Sequence, residues 1–543
     1  MNNHQWQFFI DRGGTFTDIV ARRPEGQLVI HKLLSENPER YQDAAVQGIR
    51  EILAIDANSP IPSEQIEVVK MGTTVATNAL LERKGSPTVL LITKGFKDAL
   101  RIGYQNRPDI FARQIILPEM LYERVIEVEE RYSAQGEELI PVNIDSFRTQ
   151  LQAAYDSGIR SCAIVLMHGY RYREHEEKVA AVAREIGFPQ ISVSHQVSPL
   201  MKLVSRGDTT VVDAYLSPIL RQYVNQIATQ LTANGNNYQL PITNYQLPKL
   251  MFMQSNGGLT DAGNFQGKDS ILSGPAGGIV GAVQTSLIAG FDKIITFDMG
   301  GTSTDVAHYA GEYERTFETE VAGVRLRSPM MAIHTVAAGG GSILYFDGAR
   351  YRVGPASAGA NPGPACYRQG GPLTVTDCNV MLGKLQGEFF PSKFGKNADL
   401  PLDVAVVQEK FNALAQEIGD GRSPEEVAAG FLAIAVDKMA NAIKKISLQR
   451  GYDVSEYTLC CFGGAGGQHA CLIADALGMN QVFVHPYAGV LSAYGMGLAD
   501  MRAIRECAIE ANLTAQLLPE LQQKLSQLAR EAEEELNRRD AEE

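Results

Sequence analysis

Long apolar runs are missing from this chain of 543 residues. No stretch approaches the roughly 18 consecutive apolar residues that a membrane-spanning helix needs, so we expect no membrane partner. The first residues also lack a basic segment followed by an apolar one, and we expect no secretory signal. Basic residues are in deficit, since 49 Lys and Arg stand against 62 Asp and Glu for a net charge of −13. That balance argues against a nucleic-acid or anionic-membrane surface.

Paired cysteines and several common catalytic motifs are missing too. The 7 cysteines include no C-x-x-C pair, and reduced thiols in a cytoplasmic protein explain them best. No GxSxG elbow, HExxH motif or Walker P-loop is present. The length exceeds what one hydrophobic core organises, so we expect at least two domains.

The chain does contain one eight-residue pattern twice. Residues 11–18 read D-R-G-G-T-F-T-D and residues 298–305 read D-M-G-G-T-S-T-D, with six of eight positions identical. Each copy lies between apolar runs, which predicts a strand, a tight glycine turn and a second strand. One copy alone is as often an ordinary turn. Two copies in register indicate two related halves with a cleft between them.

The residue types in these two hairpins suit a polyphosphate. Paired glycines let the backbone aim its N–H groups at an anion, and threonine hydroxyls add donors. The leading aspartates can hold Mg²⁺ or its waters. We predict catalytic roles for Asp11, Asp298, Thr302 and Thr304, with the two aspartates also at the metal. We predict that ATP phosphates contact Gly13, Gly14, Thr15, Thr17, Gly300, Gly301 and Ser303.

A third glycine-rich segment, G-G-A-G-G-Q-H at 463–469, follows a buried strand predicted at 458–462. It does not fit a dinucleotide fingerprint, because His469 stands where the third glycine belongs and no acidic residue ends the next strand. Two interpretations stay open. Gly464, Ala465 and Gly466 border a nucleoside at the start of the following helix, or they only allow close helix–strand packing.

Two further groups of side chains are candidates for a site. Polar residues follow a strand at 68–71, where open α/β sheets place ligands, and we predict substrate contacts for Thr73, Thr74, Thr77, Asn78 and Arg107. Helix capping by Thr73 or Thr74, and a solvated turn around Arg107, are the alternatives. A speculative second metal site would need Cys366, Asp377 and His469 to meet in space, although each is more often structural.

The remaining pattern is that of a mixed α/β protein. Strands are predicted at 88–92, 163–167 and 190–193, and helices at 41–53, 424–449 and 513–543. Residues 255–281 and 337–372 are dense in glycine and predict loops, whose glycines either let something approach the backbone closely or only let secondary elements pack. An Asn-rich segment at 232–249 predicts a surface insertion. We place domains at 1–205 and 206–505, with a helical segment at 506–543.

These motifs together resemble the ATP-dependent 5-oxoprolinases and, more broadly, the A-type component of hydantoinases and related lactam-cleaving enzymes. The resemblance covers nearly the whole chain and rests on both hairpins and on the segments 72–83, 273–278, 358–367 and 463–471. Arg12, residues 102–108 and residues 485–493 look like the oxoprolinase branch.

The resemblance implies an actin-like ATPase fold, that is, a duplicated ribonuclease H-like fold, here with an additional α/β subdomain. It also implies phosphorylation of the carbonyl of a small cyclic amide by ATP and Mg²⁺, so that 5-oxoproline opens to L-glutamate. Members continue past this point, so we expect a truncated chain that works with a B-type half, in the same or a separate chain, and forms an oligomer. A hydantoinase or ketone-carboxylase subunit is the nearer alternative, and a non-catalytic ATP-gated module the more distant one.

Overall fold

The computed structural model describes residues 5–37, 39–56, 59–105, 111–231, 248–390, 392, 394–395 and 399–541. Arg107 and nearly all of the predicted insertion at 232–249 lie outside the described residues. No helix in these ranges combines the length and apolar character that crossing a membrane requires.

The strands form in stretches rich in β-branched and aromatic residues. The first twelve are β1 (Trp6–Arg12), β2 (Phe16–Arg22), β3 (Leu28–Leu34), β4 (Ile66–Thr73), β5 (Thr88–Thr93), β6 (Arg124–Val128), β7 (Arg131–Tyr132), β8 (Glu138–Ile140), β9 (Ser161–Val165), β10 (Gln190–Val193), β11 (Lys249–Met253) and β12 (Leu259–Asp261). The others are β13 (Lys293–Met299), β14 (Thr304–Ala310), β15 (Arg315–Thr316), β16 (Thr319–Val321), β17 (Val324–Leu326), β18 (Met330–Met331), β19 (His334–Val336), β20 (Ser342–Phe346), β21 (Tyr351–Ser357), β22 (Thr458–Phe462) and β23 (Gln481–Phe483).

The helices alternate with these strands along the chain. They are α1 (Ala44–Ile52), α2 (Val75–Leu81), α3 (Ala99–Ile102), α4 (Asp145–Asp156), α5 (Glu174–Ile186), α6 (Ser194–Val197), α7 (Leu203–Leu231), α8 (Ser273–Ile288), α9 (Val375–Met381), α10 (Val404–Ile418), α11 (Pro424–Ile446), α12 (Ala470–Leu477), α13 (Leu491–Leu498) and α14 (Leu518–Ala541).

Two sheets share one strand order, which confirms the duplicated ribonuclease H-like fold. The first runs β3-β2-β1-β4-β11-β12 and the second runs β19-β14-β13-β22-β23. In each, three antiparallel strands are followed by two strands that pair in parallel, and the first sheet adds β12 antiparallel to β11. The first sheet takes in β11 and β12, which follow residue 205, so it does not end at the predicted boundary. The division of the chain into domains stays a prediction.

The additional α/β subdomain is present as a third sheet with the order β10-β9-β5-β6. All of its pairs are parallel, and β5 and β9 are buried along their whole length, as parallel strands covered on both faces should be. Apolar residues of α4 and α5 cover one face, and residues of α2 and α7 cover the other. The predicted strand at 163–167 is β9, two residues earlier.

Helices α8 and α13 fill the space between the two related sheets. One hydrophobic cluster joins them to Phe9 of the first sheet and Ile294 of the second. The helices approach so closely that a Cβ on Gly495 would lie 2.0 Å from the carbonyl oxygen of Gly277, and glycine at this position makes the contact possible. The prediction of a loop over 255–281 is therefore wrong for its second part, since Ser273 begins α8. Its glycines allow helix packing.

Helix α11 begins as its sequence predicts. Ser423 accepts from the backbone of Glu426, whose carboxylate accepts from the backbone of Ser423, and Pro424 takes the first helical position. The helix ends at Ile446, a short 3₁₀ turn follows, and Gly451 stops it with a φ of +88°.

Candidate active site

The repeated motifs form two hairpins of the same geometry, as predicted. In the first, the amide of Gly13 donates to the carbonyl of Phe16 at 3.1 Å, and in the second Gly300 donates to Ser303 at 3.1 Å. The register places two aspartates opposite each other in each hairpin, Asp11 with Asp18 and Asp298 with Asp305. The sequence repeat is thus a structural repeat.

Both hairpins line a single cleft of about 390 Å³. The predicted residues found on its wall are Asp11, Gly13, Asp298, Gly300, Gly301, Gly464 and Ala465. The exposed tips of the hairpins carry Gly14, Thr15 and Thr302, and Ser303 is half-buried beside them. The two predicted phosphate hairpins therefore lie on the wall of the same cleft, as the prediction of two related halves with a cleft between them requires.

The hairpin tips present donors rather than acceptors. Within the described ranges, the amides of Gly14, Thr15, Gly301 and Thr302 have no protein acceptor. The carbonyl groups are used instead: Thr15 accepts from the amide of Ser35. Successive backbone N–H groups left in a turn form an anion-binding concavity. These tips can hold phosphate oxygens.

Thr17 was predicted at the phosphates and Thr304 was predicted to be catalytic, but both side chains are fully buried and bonded elsewhere. The hydroxyl of Thr17 lies 3.0 Å from that of Ser35, and Thr304 donates to the carbonyl of Ala338 at 2.5 Å. Because side chains alternate along a strand, these threonines point away from the exposed side of the turn. The prediction that either side chain contacts a ligand in the cleft directly is therefore wrong.

Glycines make room around the two leading carboxylates. A Cβ on Gly274, in the first turn of α8, would lie 2.9 Å from Oδ1 of Asp11. A Cβ on Gly463 would lie only 2.3 Å from Oδ1 of Asp298. The backbone must approach each carboxylate this closely, and only glycine permits it.

The four aspartates repel one another across the cleft. Burial, and then the charge of Asp18, raises the pKa of Asp11 to about 7, against the lowering effect of Lys32. Burial, and then the charges of Asp305, Asp11 and Asp18, raises the pKa of Asp298 to about 8. A cation between the hairpins would relieve this repulsion.

The outer aspartates have different partners in the two halves. Strand β3 places Lys32 opposite Asp18, with an Nζ–Oδ1 distance of 2.6 Å. Strand β19 places Thr335 opposite Asp305, and its hydroxyl donates to Oδ1 at 2.5 Å. In the part of the chain that the structure describes, Asp18 is therefore paired with a cation, whereas Asp305 is held by a neutral hydroxyl.

The donor set fits a hard divalent cation held through its water shell. Oδ1 of Asp11 is buried without a hydrogen-bond partner. Oxygen ligands from one or two carboxylates, completed by waters and phosphates, are what Mg²⁺ prefers. No group of three or more His, Cys, Asp or Glu in the described part of the chain could hold a metal directly. Asp11 and Asp298 are the residues that could hold Mg²⁺.

The speculative second metal site at Cys366, Asp377 and His469 is wrong. Asp377 uses its oxygens as a cap: Oδ1 accepts from the amide of Cys366 at 2.9 Å, and Oδ2 accepts from that of Thr374 at 2.8 Å. His469 is fully buried, its Nε2 lies 3.2 Å from Nδ2 of Asn379, and burial lowers its pKa to about 4. Sequence spacing could not show that capping uses the carboxylate.

The residues of the 463–469 loop have two different surroundings. Gly464 and Ala465 line the cleft. Gly466 is buried, and a Cβ there would lie 2.8 Å from Sγ of Cys461, so this glycine serves close packing. Nucleoside contact by Gly464 and Ala465 stays a prediction.

The predicted substrate residues are bonded to the protein. Thr73 is fully buried, and its hydroxyl caps α2 by accepting from Val75 at 3.2 Å. Thr77 accepts from the amide of Leu272 at 3.2 Å. Thr74 donates to the carbonyl of Arg12 at 3.2 Å, and Asn78 lies 3.5 Å from Thr74. They join the first hairpin to the start of α8, and substrate contact stays a prediction.

Several residues on the wall were not predicted. Gly340 and Gly341 donate to the carbonyls of Gly300 and Gly301, at 3.1 and 2.6 Å. Gly339 beside them must be glycine, because a Cβ would lie 2.6 Å from the backbone carbon of Thr302. The run of three glycines at 339–341 was the available signal. A partly apolar wall completes the cleft with Tyr367, Thr376, Leu385, Phe390, Leu402, Gln468 and Ser492.

Comparisons with known proteins agree with this geometry. A family model described as Hydantoinase/oxoprolinase matches residues 206–505, and one described as Hydantoinase/oxoprolinase N-terminal region matches residues 7–187. The 5-oxoprolinase 1 of Arabidopsis thaliana is 44% identical over 98% of this chain and 44% of its own length. The 5-oxoprolinase of Saccharomyces cerevisiae is 42% identical over 91% of this chain and 41% of its own. The chain thus spans less than half the length of these relatives.

A shorter relative and two solved structures match over more of their length. The caprolactamase subunit alpha of Pseudomonas jessenii is 32% identical over 97% of this chain and 75% of its own. The crystal structure of the ATP-dependent caprolactamase from that organism has a TM-score of 0.82 at 29% identity and covers 98% of this chain and 76% of its own. A nucleotide-free acetone carboxylase has a TM-score of 0.73 at 24% identity, covers 99% and 77%, and supports the fold.

Proposed function

Because this chain belongs to the hydantoinase/oxoprolinase family, we propose that it is the ATP-using half of a lactam-cleaving enzyme, with 5-oxoproline as substrate. The observation that carries the proposal is the pair of Asp-x-Gly-Gly-Thr hairpins on the wall of one cleft. The substrate comes from relatives named 5-oxoprolinase at 42–44% identity.

The chemistry explains why ATP is needed. A lactam carbonyl is a poor electrophile, because resonance with the ring nitrogen stabilises it. In the proposed step the carbonyl oxygen forms a bond to the γ-phosphorus of ATP, and the bond between that phosphorus and ADP breaks. Water then attacks the activated carbon, the bond between that carbon and the ring nitrogen breaks as the nitrogen takes up a proton, and the ring opens to an acyl phosphate of glutamate. A second water attacks this acyl phosphate, phosphate leaves, and L-glutamate is formed.

The two hairpins supply what phosphoryl transfer requires, namely positioning and charge stabilisation. The amides of Gly14 and Thr15 hold phosphate oxygens from one side, and those of Gly301 and Thr302 hold them from the other. The hydroxyls of Thr15 and Thr302 add donors at the exposed tips. Contacts from both halves fix the position of the γ-phosphoryl group relative to the attacking oxygen, and this orientation favours in-line transfer.

Asp11 and Asp298 hold the metal site in this proposal. Bound Mg²⁺ would supply positive charge that offsets the negative charge on the transferring group. The unpartnered Oδ1 of Asp11 is free to accept from a metal-bound water, and the raised pKa of Asp298 falls when a cation is near. Thr304 supports the second hairpin from within.

The partly apolar wall would take the nucleoside. Gly464 and Ala465 leave room for a flat group against the backbone, and Tyr367 and Phe390 provide aromatic faces in the same cleft. An aromatic base gains from such faces. Thr74, Thr77, Asn78 and Arg107 are kept as candidates on the lactam side, next to the first hairpin.

A B-type half is proposed to complete the hydrolysis, in the same or a separate chain. The curated 5-oxoprolinases are more than twice as long as the part of them that this chain covers. We further propose an oligomer in the cytoplasm, where the 7 free cysteines stay reduced.

A second candidate is another carbonyl substrate of the same family. The caprolactamase structure, at a TM-score of 0.82, supports a different lactam, and acetone carboxylase has the same fold. A non-catalytic ATP-gated module is a third possibility, in which a protein rather than a lactam stimulates ATP hydrolysis.

A single-turnover assay with labelled ATP tests the proposal. The chain is mixed with ATP, Mg²⁺ and 5-oxoproline, with and without a B-type half, beside hydantoin, caprolactam and acetone. We expect ADP release that depends on 5-oxoproline. In the Asp298→Asn variant we expect a loss of about a hundredfold or more, since a charge at the transferring group is removed.

The control is Asp420→Asn, because Asp420 lies at the surface and pairs with Arg422. It should keep full activity. Absence of lactam-dependent ADP release even with the B-type half would contradict the proposal. ADP release that depends on hydantoin, caprolactam or acetone and not on 5-oxoproline would instead support the second candidate function.

A further inference from the structure

A second cavity of about 350 Å³ lies outside the cleft and shares no lining residue with it. It is formed where the edge strand β10 of the third sheet meets α7 and the end of α5. We call it the edge pocket and define it by Arg184, Gln190, Ser192, Asp213, Ser217 and Arg221. Its size is within the range of small-molecule sites.

The floor of the edge pocket is anionic and rigid. Asp213 is buried, and it accepts from the hydroxyls of Ser192 at 2.7 Å and Ser217 at 3.1 Å. Gln190, also buried, donates to the hydroxyl of Ser192 at 2.9 Å. Oδ1 of Asp213 also accepts from the backbone amide of Lys268 at 3.4 Å, and the ammonium group of Lys268 is paired with Asp269 at 2.8 Å, so one cation stands against two carboxylates. One carboxylate charge therefore remains for a ligand to meet.

The rim of the edge pocket is cationic. Arg184 and Arg221 are exposed, and neither forms an ion pair within the described residues. Arg221 lies two turns along α7 from Asp213, and Ser217 lies between them, so the three share one face of the helix. Unpaired guanidinium groups at the mouth of a cavity are suited to carboxylates, which they bind in a bidentate manner.

We propose that the edge pocket binds an acidic α-amino acid, with its two carboxylates at Arg184 and Arg221 and its ammonium group toward Asp213. Two cations and one anion in the pocket match two anions and one cation in the ligand. The site is independent of the proposed function, because it contains none of the residues that line the cleft.

Isothermal titration calorimetry of the full chain with L-glutamate tests this. The titration is run with the cleft saturated by ADP and Mg²⁺ and repeated with the Asp298→Asn variant, which we expect to bind equally well. Arg221→Gln should weaken binding at least tenfold, since a charge-assisted hydrogen bond is lost. Arg173→Gln is the matched control, because Arg173 lies at the exposed start of α5 and pairs with Glu177.

Two related probes test the charge pattern. Glutarate lacks the ammonium group and L-glutamine lacks the second carboxylate, and each should bind about tenfold more weakly than L-glutamate. Asp213→Asn, which keeps the size of the side chain, should bring L-glutamate and glutarate to equal affinity. The proposal is overturned if L-glutamate does not bind, if Arg221→Gln binds it as tightly as Arg173→Gln, or if ADP displaces it.

Discussion

At the scale of single residues, two adjacent glycines in the 463–469 loop carry different constraints. Gly463 has a φ of +84°, and a Cβ there would lie 2.3 Å from Asp298 and 2.6 Å from the carbonyl of Met299. Gly464 has no atom within 4 Å of such a Cβ. The first glycine is required by the fold, and the second leaves space for a ligand.

This difference predicts opposite results for two alanine variants. Gly463→Ala should lower the free energy of unfolding by about 1–3 kcal/mol, from left-handed backbone strain and the clash with Asp298. Gly464→Ala should keep the stability and weaken ATP binding, because its methyl group enters the cleft. Denaturant unfolding and nucleotide titration measure the two effects. Equal stability of the two variants would contradict this account.

The buried His469 predicts a pH dependence of stability. Burial lowers its pKa to about 4 in the folded chain, against an ordinary value of 6.5. The unfolded chain therefore takes up a proton first as pH falls, and stability is complete above about pH 6.5 and declines below it. At pH 5 the loss is about 2 kcal/mol.

His469→Gln removes this titration. Its free energy of unfolding should fall by about 2 kcal/mol less than that of the parent chain between pH 7.5 and pH 5. Urea unfolding at both pH values checks it. Parallel declines in parent and variant would show that His469 does not titrate in this way.

At the scale of elements, the contact between α8 and α13 sets the distance between the two related sheets. Gly495→Ala would place a methyl group 2.0 Å from the carbonyl of Gly277 and 2.7 Å from the amide of Gly281. The helices must separate, so we expect a loss of about 2–4 kcal/mol in the free energy of unfolding and weaker ATP binding. Gly467→Ala, with no atom within 4 Å of its Cβ, is the control for thermal unfolding and nucleotide titration.

The sequence was most informative where local chemistry decides an element. The two hairpins, strand β22 and the start of α11 could all be predicted, because turn glycines, apolar runs and a capping box act over a few residues. Helix α8 could not, because its glycines look like a loop until α13 is known to pack against them. Asp377 was misassigned for a similar reason, since only the fold shows that backbone amides occupy its oxygens.

At the scale of the whole molecule, we predict that one nucleotide contacts the hairpins of both halves. A nucleotide held by both hairpins should protect the amides of Gly14, Thr15, Gly301 and Thr302 together, since none of them has a protein acceptor in the described ranges. Hydrogen–deuterium exchange with a non-hydrolysable ATP analogue and Mg²⁺ measures this. Protection of one hairpin alone would contradict a site shared between the halves.

The sequence repeat indicated two halves and a cleft, and it could not give the cleft's other walls. Gly340, Tyr367 and Gln468 reach it from segments far apart in the chain. Only the duplicated sheets, with α8 and α13 between them, bring these segments together.

The pairing of Asp18 with Lys32 and of Asp305 with Thr335 gives the cleft a direction. Duplication alone would produce a cleft with two equivalent ends, in which an elongated ligand could bind in either of two orientations. Lys32, which stands where the other copy has Thr335, breaks that equivalence beside the outer aspartates. The end that contains Lys32 attracts the most negative part of a ligand. The end that contains Asp305 attracts the positive counterion of that ligand. The lysine in one half and the threonine in the other thus give the two ends of a duplicated cleft different charge.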